Sequence, residues 1–118
     1  MTMTEQIKIN DDNAESIGRP IFDRIIRSFQ NEKRQDLIQH FPYLDKWMTV
    51  EIFDEAVAVL NRLGELVSSE YSTRLTKGDN HVLAWDVDYK NDNNPVRWNL
   101  YLNDNQEEIK VNGFEFDR

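Results

Sequence analysis

The sequence predicts an α+β fold, in which three helices pack on one face of a curved four-stranded antiparallel sheet. Three observations carry this. Apolar residues recur at helical spacing in the first half of the chain, they alternate with polar residues in the second, and the two regimes meet at Ser68 and Ser69. The alternation is clearest in residues 82–102. There Leu83, Trp85, Val87 and Tyr89 share one parity, against Ala84, Asp86, Asp88 and Lys90. Val96, Trp98, Leu100 and Leu102 likewise oppose Arg97, Asn99, Tyr101 and Asn103. Strand side chains point to alternate faces, so each run has one apolar face and one mainly polar face. The polar stretch Asn91-Asp92-Asn93-Asn94-Pro95 between them is turn chemistry. Pairing Val87 with Trp98 places Trp85 opposite Leu100, Leu83 opposite Leu102 and Asp88 opposite Arg97, with every apolar residue on one face.

Taken in order, residues 1–12 are polar and expected to be flexible, although Ile7 and Ile9 suit a short edge contact. Residues 13–118 are enough for one domain with one core. The first helix spans about residues 13–29, with Ile17, Ile21, Ile25 and Phe29 as its stripe and Phe22 and Ile26 widening it. Pro20 belongs near a helix start, which predicts either a start near Arg19 or a kink. Residues 33–41 make a short second helix buried through Leu37, Ile38 and Phe41, and Pro42 ends it. A connector tucks Leu44 and Trp47 under the core. Thr49 caps the third helix, whose stripe is Phe53, Ala56, Val57, Leu60, Leu63 and Val67. Strand 1 covers residues 71–76 with Tyr71, Thr73 and Leu75 inward, and Gly78-Asp79-Asn80 turns the chain with Asn80 left-handed. The last strand, residues 109–116, changes parity between Val111 and Phe114. A bulge at Asn112-Gly113 restores one apolar face and places Trp98 beside Phe114 and Arg97 beside Glu115.

Composition narrows the function. The net charge is −8, from 22 acidic and 14 basic residues, which disfavours nucleic acid and anionic membrane as partners. No apolar run is long enough to cross a bilayer, and no signal pattern opens the chain, so a cytoplasmic location is expected. The absence of cysteine removes disulfides, thiolate chemistry and sulfur-ligated metal. The Asp and Asn clusters at 91–94 and 103–105 lack calcium-loop spacing and read as turns, so neither metal nor cofactor is expected. His40, four residues after Asp36, ends a helix and His81 flanks a hairpin; both read as surface or capping residues. Arg97 between Asp88 and Glu115 reads as a cross-strand charge ladder on the outer face.

The segment Pro20-Ile21-Phe22-Asp23-Arg24-Ile25-Ile26, the short helix within residues 31–40, the Leu63-Gly64-Glu65-Leu66 helix end and the meander closing on Asn112-Gly113-Phe114 resemble the NTF2-like (cystatin-like) superfamily. The chain is most similar to its small bacterial members of unknown function, and the resemblance covers residues 14 onward. It implies a cone-shaped roll, often open at the wide end, whose sheets often pair face to face in homodimers. The superfamily includes isomerases, dehydratases, cyclases, ligand binders and transport factors, so fold alone does not assign chemistry. Its enzymes typically carry Asp, His or Tyr inside the cone. Here the inner parity offers only tyrosines and Thr73 as polar groups, which favours a non-catalytic module. Trp85, Trp98, Tyr71 and Tyr89 are the candidates to line a pocket for a small apolar ligand. The alternative is an isomerase, dehydratase or hydrolase with Tyr71 or Tyr89 as acid. A third reading, an accessory protein binding one partner through an acidic surface, fits the net charge. The outer sheet face, centred on Tyr101, is the expected homodimer interface.

Overall fold

The structure, a computed structural model, describes residues 7–117. Helix α1 (Ala14–Gln30), α2 (Arg34–His40), a 3-10 turn (Pro42–Lys46) and α3 (Val50–Leu63) precede four strands, β1 (Leu66–Lys77), β2 (Asn80–Tyr89), β3 (Val96–Asn103) and β4 (Lys110–Asp117). The strands pair antiparallel in the order β1-β2-β3-β4, so the α+β class and its helices-then-sheet order are as expected. Of the N-terminal segment, residues 1–6 lie outside the described residues. Ile9 is inserted in the core, with its amide bonded to Asp104.

Helix α1 lies on the sheet through its aromatic stripe. Phe22 stacks on Trp85 at 4.4 Å with ring planes 3° apart, and meets Trp98 edge-on at 5.8 Å. One helix repeat further on, Phe29 stacks on Phe53 of α3 at 4.8 Å and meets Trp98 and Phe114 edge-on. The helix runs through Pro20 rather than starting near Arg19. Proline has no N–H for the Ser16 carbonyl, but both residues are exposed, so water can take that bond. The Thr49 hydroxyl caps α3 by accepting from the Ile52 amide at 3.2 Å. Beneath the connector Leu44 and Met48 are buried, whereas Trp47 is 37 % exposed and leans on Phe114.

The hairpin register differs from expectation by two residues. Val87 pairs with Val96, Trp85 with Trp98 and Leu83 with Leu100. A two-residue shift preserves parity, so hydrophobic patterning cannot distinguish the two registers. The distinction comes from the loop. The Lys90 amide donates to the Glu65 carbonyl and the Asn91 amide to that of Leu63, both at 2.8 Å, so the end of β2 is held by the α3–β1 junction. Asp88 therefore faces Ser68, and Arg97 pairs with Asp86 instead. Glu115 faces Asn99 and accepts the Tyr101 hydroxyl at 2.6 Å, while Arg97 lies opposite Asp117.

Strand β1 begins at Leu66, five residues earlier than expected, because Gly64 at φ 87° ends α3. Val67, expected in the helical stripe, is consequently in the strand and 66 % exposed. A register shift between Tyr71 and Thr73 leaves Ser72 unpaired and reverses parity beyond it. Thr73 and Leu75 therefore face outward with Ala84 and Val82, and Arg74 takes the inner position opposite Leu83. The turn is tighter than expected: Gly78 takes the positive φ, and Asn80 already pairs with Lys77. The bulge expected in β4 is present, since Tyr101 pairs with Gly113 and Leu102 with Val111, leaving Asn112 out. Val111, Phe114 and Phe116 thereby share the inner face. Trp98 is registered with Phe116, and its ring also reaches Phe114 at 6.2 Å.

Gly18 marks the closest approach of α1 to the sheet. A Cβ there would lie 2.4 Å from Leu83 Cδ2 and 2.8 Å from Trp85 Cη2. Alanine is the better helix former by about 1 kcal/mol, but overpacking costs about 1–3 kcal/mol, and Trp85 is held by the Phe22 stack. Gly18→Ala is expected to lower unfolding free energy by about 1 kcal/mol in urea denaturation; an increase would show that the interface yields freely.

Candidate ligand cleft and a separate polar cluster

Where α1 and α3 end, the two helices and the sheet leave a cleft of about 540 Å³. Ile26, Phe29 and Gln30 come from the last turns of α1, and Leu60 and Asn61 from the last turn of α3. Gly64, Glu65 and Leu66 continue the wall as the chain reverses into β1, and Tyr89 completes it from the end of β2. The reversal is tightly braced. A Cβ on Gly64 would lie 2.8 Å from Asn91 Nδ2, which itself donates to the Arg62 carbonyl. The wall is apolar through Ile26, Phe29, Leu60 and Leu66. Gln30, Asn61 and Glu65 supply polar groups, and among the described residues no basic side chain lines it.

Tyr89 is the polar group with the most defined role. It is 6 % exposed, and its hydroxyl oxygen accepts from Trp98 Nε1 at 3.2 Å. Burial pushes its pKa up to about 12, against the opposing effect of the Trp98 bond, so the phenol keeps its proton at neutral pH. A phenol that accepts one bond can still donate its own, and among the described residues no hydrogen bond uses that proton.

The other three candidate residues lie elsewhere. Trp98 is buried behind Tyr89. Trp85 is fully buried beneath Phe22, with Nε1 lacking a hydrogen-bond partner among the described residues. Tyr71 is half-buried and meets Trp85 edge-on at 5.5 Å; burial and then the negative charge of Asp11 raise its pKa. Of the four, only Tyr89 lines the cleft. The wall residues Gln30, Asn61 and Glu65 were not singled out from sequence, because periodicity marks buried stripes and not the polar rim of a cleft.

A second group was also missed. Asp104, 6 % exposed, accepts the Ile9 amide at 2.8 Å and contacts His81 Nε2 at 2.9 Å, while Arg74 Nη1 lies 3.1 Å from His81 Nδ1. Arg74 Nε also donates to Asp11 at 2.8 Å. Guanidinium only donates, which makes Nδ1 the acceptor and places the ring proton on Nε2, toward Asp104. Both ring nitrogens are thus engaged and neither is left for a substrate. The cluster is a latch that holds residues 8–11 against the sheet. His81 is accordingly neither a capping residue nor a surface one, and the Ser72 bulge, which brings Arg74 inward, is the reason it could not be read from spacing. The remaining polar candidates are surface features. Arg97 makes a two-pronged bond to Asp86 at 3.0 and 3.2 Å, and exposed His40 contacts Arg24. Among the described residues no group of His, Asp and Glu is arranged to hold a metal ion, and no helix is long and apolar enough to cross a membrane.

No protein family, curated protein or solved structure matches this chain.

Burial alone would raise the Asp104 pKa; the Ile9 amide, His81 and Lys8 outweigh it and hold the carboxyl below its ordinary range. Its folded pKa therefore lies below its unfolded one. Its contribution is complete above the unfolded pKa and is lost as pH falls through the folded value. Asp104→Asn is expected to cost about 2 kcal/mol at neutral pH, where a charged acceptor is lost, and much less in strong acid. Urea midpoints of both proteins across the acid range test this; parallel curves would assign the latch no electrostatic role.

Proposed function

We propose that this chain is a non-catalytic NTF2-like binding module that holds a small, mainly apolar, uncharged molecule in the cleft at the ends of α1 and α3. The observation that carries the reading is Tyr89 in the cleft wall, its hydroxyl accepting from Trp98 and retaining its proton, alongside the apolar surface of Ile26, Phe29, Leu60 and Leu66. A cleft of about 540 Å³ is within the size range of small-molecule sites. The ligand that fits has an apolar body against Phe29 and Leu60 and one acceptor, a carbonyl, ether or hydroxyl oxygen, for Tyr89. Glu65 and the absence of a basic wall residue disfavour anions. The enzymatic alternative is less well supported. A phenol with a pKa near 12 is poorly matched to proton transfer at neutral pH, and among the described residues no hydrogen bond joins it to the one carboxylate of the wall, Glu65. Homodimerisation through the outer sheet face belongs to the same proposal, supported by exposed Leu75 in the row it shares with Val82 and Tyr101.

The test is a thermal-shift titration with neutral ketones, ethers and alcohols of cleft-filling size, each beside its carboxylate counterpart. A ligand that binds only the folded chain raises the midpoint once its concentration passes Kd. The neutral compounds are expected to do so. Tyr89→Phe, which removes one neutral hydrogen bond, is expected to weaken binding about two- to tenfold. Leu60→Trp, which fills the cleft, is expected to abolish it. Absence of any neutral binder, or binding indifferent to both substitutions, overturns the assignment.

A second prediction concerns the hydrogen bond behind the wall. Trp98→Phe removes the donor that orients Tyr89 and opens space in the core, with an expected stability loss of about 1–3 kcal/mol. Binding of the neutral ligands is expected to weaken beyond what the lower stability explains, measured by calorimetry at a temperature where both proteins are folded.

A further inference from the structure

A second concavity, of about 440 Å³, lies between α1 and the end of α2 and has the opposite chemistry. Pro20, Ile21 and Phe41 supply apolar surface, and Arg24, Gln39 and His40 supply donors. Arg24 is the charged element with a side chain that never titrates. Arg19, Arg34, Arg74 and Arg97 each pair with a carboxylate, respectively Asp23, Asp45, Asp11 and Asp86. Among the described residues Arg24, Arg27 and Arg62 have no such partner, although acidic residues outnumber basic ones by 22 to 14, and of these three Arg24 lines the concavity. Asp23, its neighbour in sequence, is engaged by Arg19.

The side-chain bond the Arg24 guanidinium makes is to a neutral acceptor, His40 Nε2. A guanidinium offers five N–H donors in a planar fork suited to two carboxylate oxygens, and one lone pair on an imidazole uses only a fraction of them. A carboxylate would displace His40 Nε2 from the fork and bring the charge that the ring does not provide. Gln39 offers an amide N–H beside it, and Ile21 and Phe41 would cover an attached hydrocarbon.

We infer that the α1–α2 cleft is a binding site for a small apolar monocarboxylate, with Arg24 as its charge-pairing residue and Ile21 and Phe41 as its apolar seat. This site is independent of the neutral-ligand cleft, and the two differ in the charge they select. The net charge of −8 works against general anion binding, so selection would depend on the local pairing.

The experiment is an amide-resolved NMR titration of the full chain with phenylacetate, beside phenylacetamide as its uncharged isostere. Phenylacetate is expected to shift amides of residues 19–24 and 39–41 saturably, and phenylacetamide to leave them in place. Arg24→Gln, at an exposed position, is expected to weaken binding about tenfold, the loss of a charge-assisted pair. Arg27→Gln removes an equal charge one turn along the same helix, outside the cleft, and is expected to leave affinity unchanged. The inference is overturned if nothing saturates, if acid and amide behave alike, or if the two arginine variants weaken binding equally. Shifts centred on residues 60–66 would also overturn it, by placing the carboxylate in the other cleft.

Discussion

The stack of Phe22 on Trp85 is the constraint on which the rest of the molecule depends. Parallel rings 4.4 Å apart leave α1 little freedom to slide or roll on the sheet. Gly18, one turn earlier, allows the helix backbone to approach Leu83 and Trp85 more closely than any side chain would permit. Arg19 extends the arrangement, with its guanidinium 5.7 Å from the Trp85 ring and hydrogen-bonded to the Ser69 hydroxyl on β1. With α1 seated there, Phe29 falls between Phe53, Trp98 and Phe114 and joins the second major helix to the sheet. Aromatic pairs of this kind add about 0.5–1.5 kcal/mol each beyond their area burial, and they do so directionally, which specifies position as well as stability.

The ligand cleft is a consequence of how α3 ends. Gly64 at positive φ stops the helix while the chain still lies over the sheet, and the Lys90 and Asn91 amides hold the reversal to the end of β2. The same bonds draw Asp88 and Tyr89 away from β3 and onto β1, which leaves Tyr89 beside the helix ends. Trp98 then sets the direction of the phenol from behind. One backbone event therefore determines both the hairpin register and the polar group of the cleft.

At the latch, packing and electrostatics act together. A buried carboxylate is costly unless its oxygens are satisfied. Asp104 meets that requirement with a backbone amide from Ile9 and a histidine whose orientation is set by Arg74. The result attaches residues near the start of the described chain to the turn after β3 and places Ile9 in the core. In the α1–α2 cleft the balance is different: a guanidinium without a carboxylate is accommodated because it is exposed to water.

Much of the architecture was legible in the sequence because burial imposes periodicity. The α1 stripe, the Thr49 cap, the inner faces of β2 and β3 and the Asn112 bulge all follow from which residues must leave water, and each of those signals is local. The hairpin register was not legible, since a shift of two residues keeps every side chain on its face and only bonds to the distant residues Leu63 and Glu65 separate the alternatives. The Ser72 bulge was hidden as well: Thr73 and Leu75 continue the parity of Tyr71 in sequence, and their outward turn appears only once β1 is laid against β2. That reversal is also what brings Arg74 to His81. Of the candidate pocket residues, sequence identified Tyr89 by its parity, but it could not separate a residue that lines a cleft from Trp85, which fills the core on the same face. Local patterning thus determined what is buried and on which side; tertiary contacts between residues far apart in the chain decided which buried groups meet one another and where space is left.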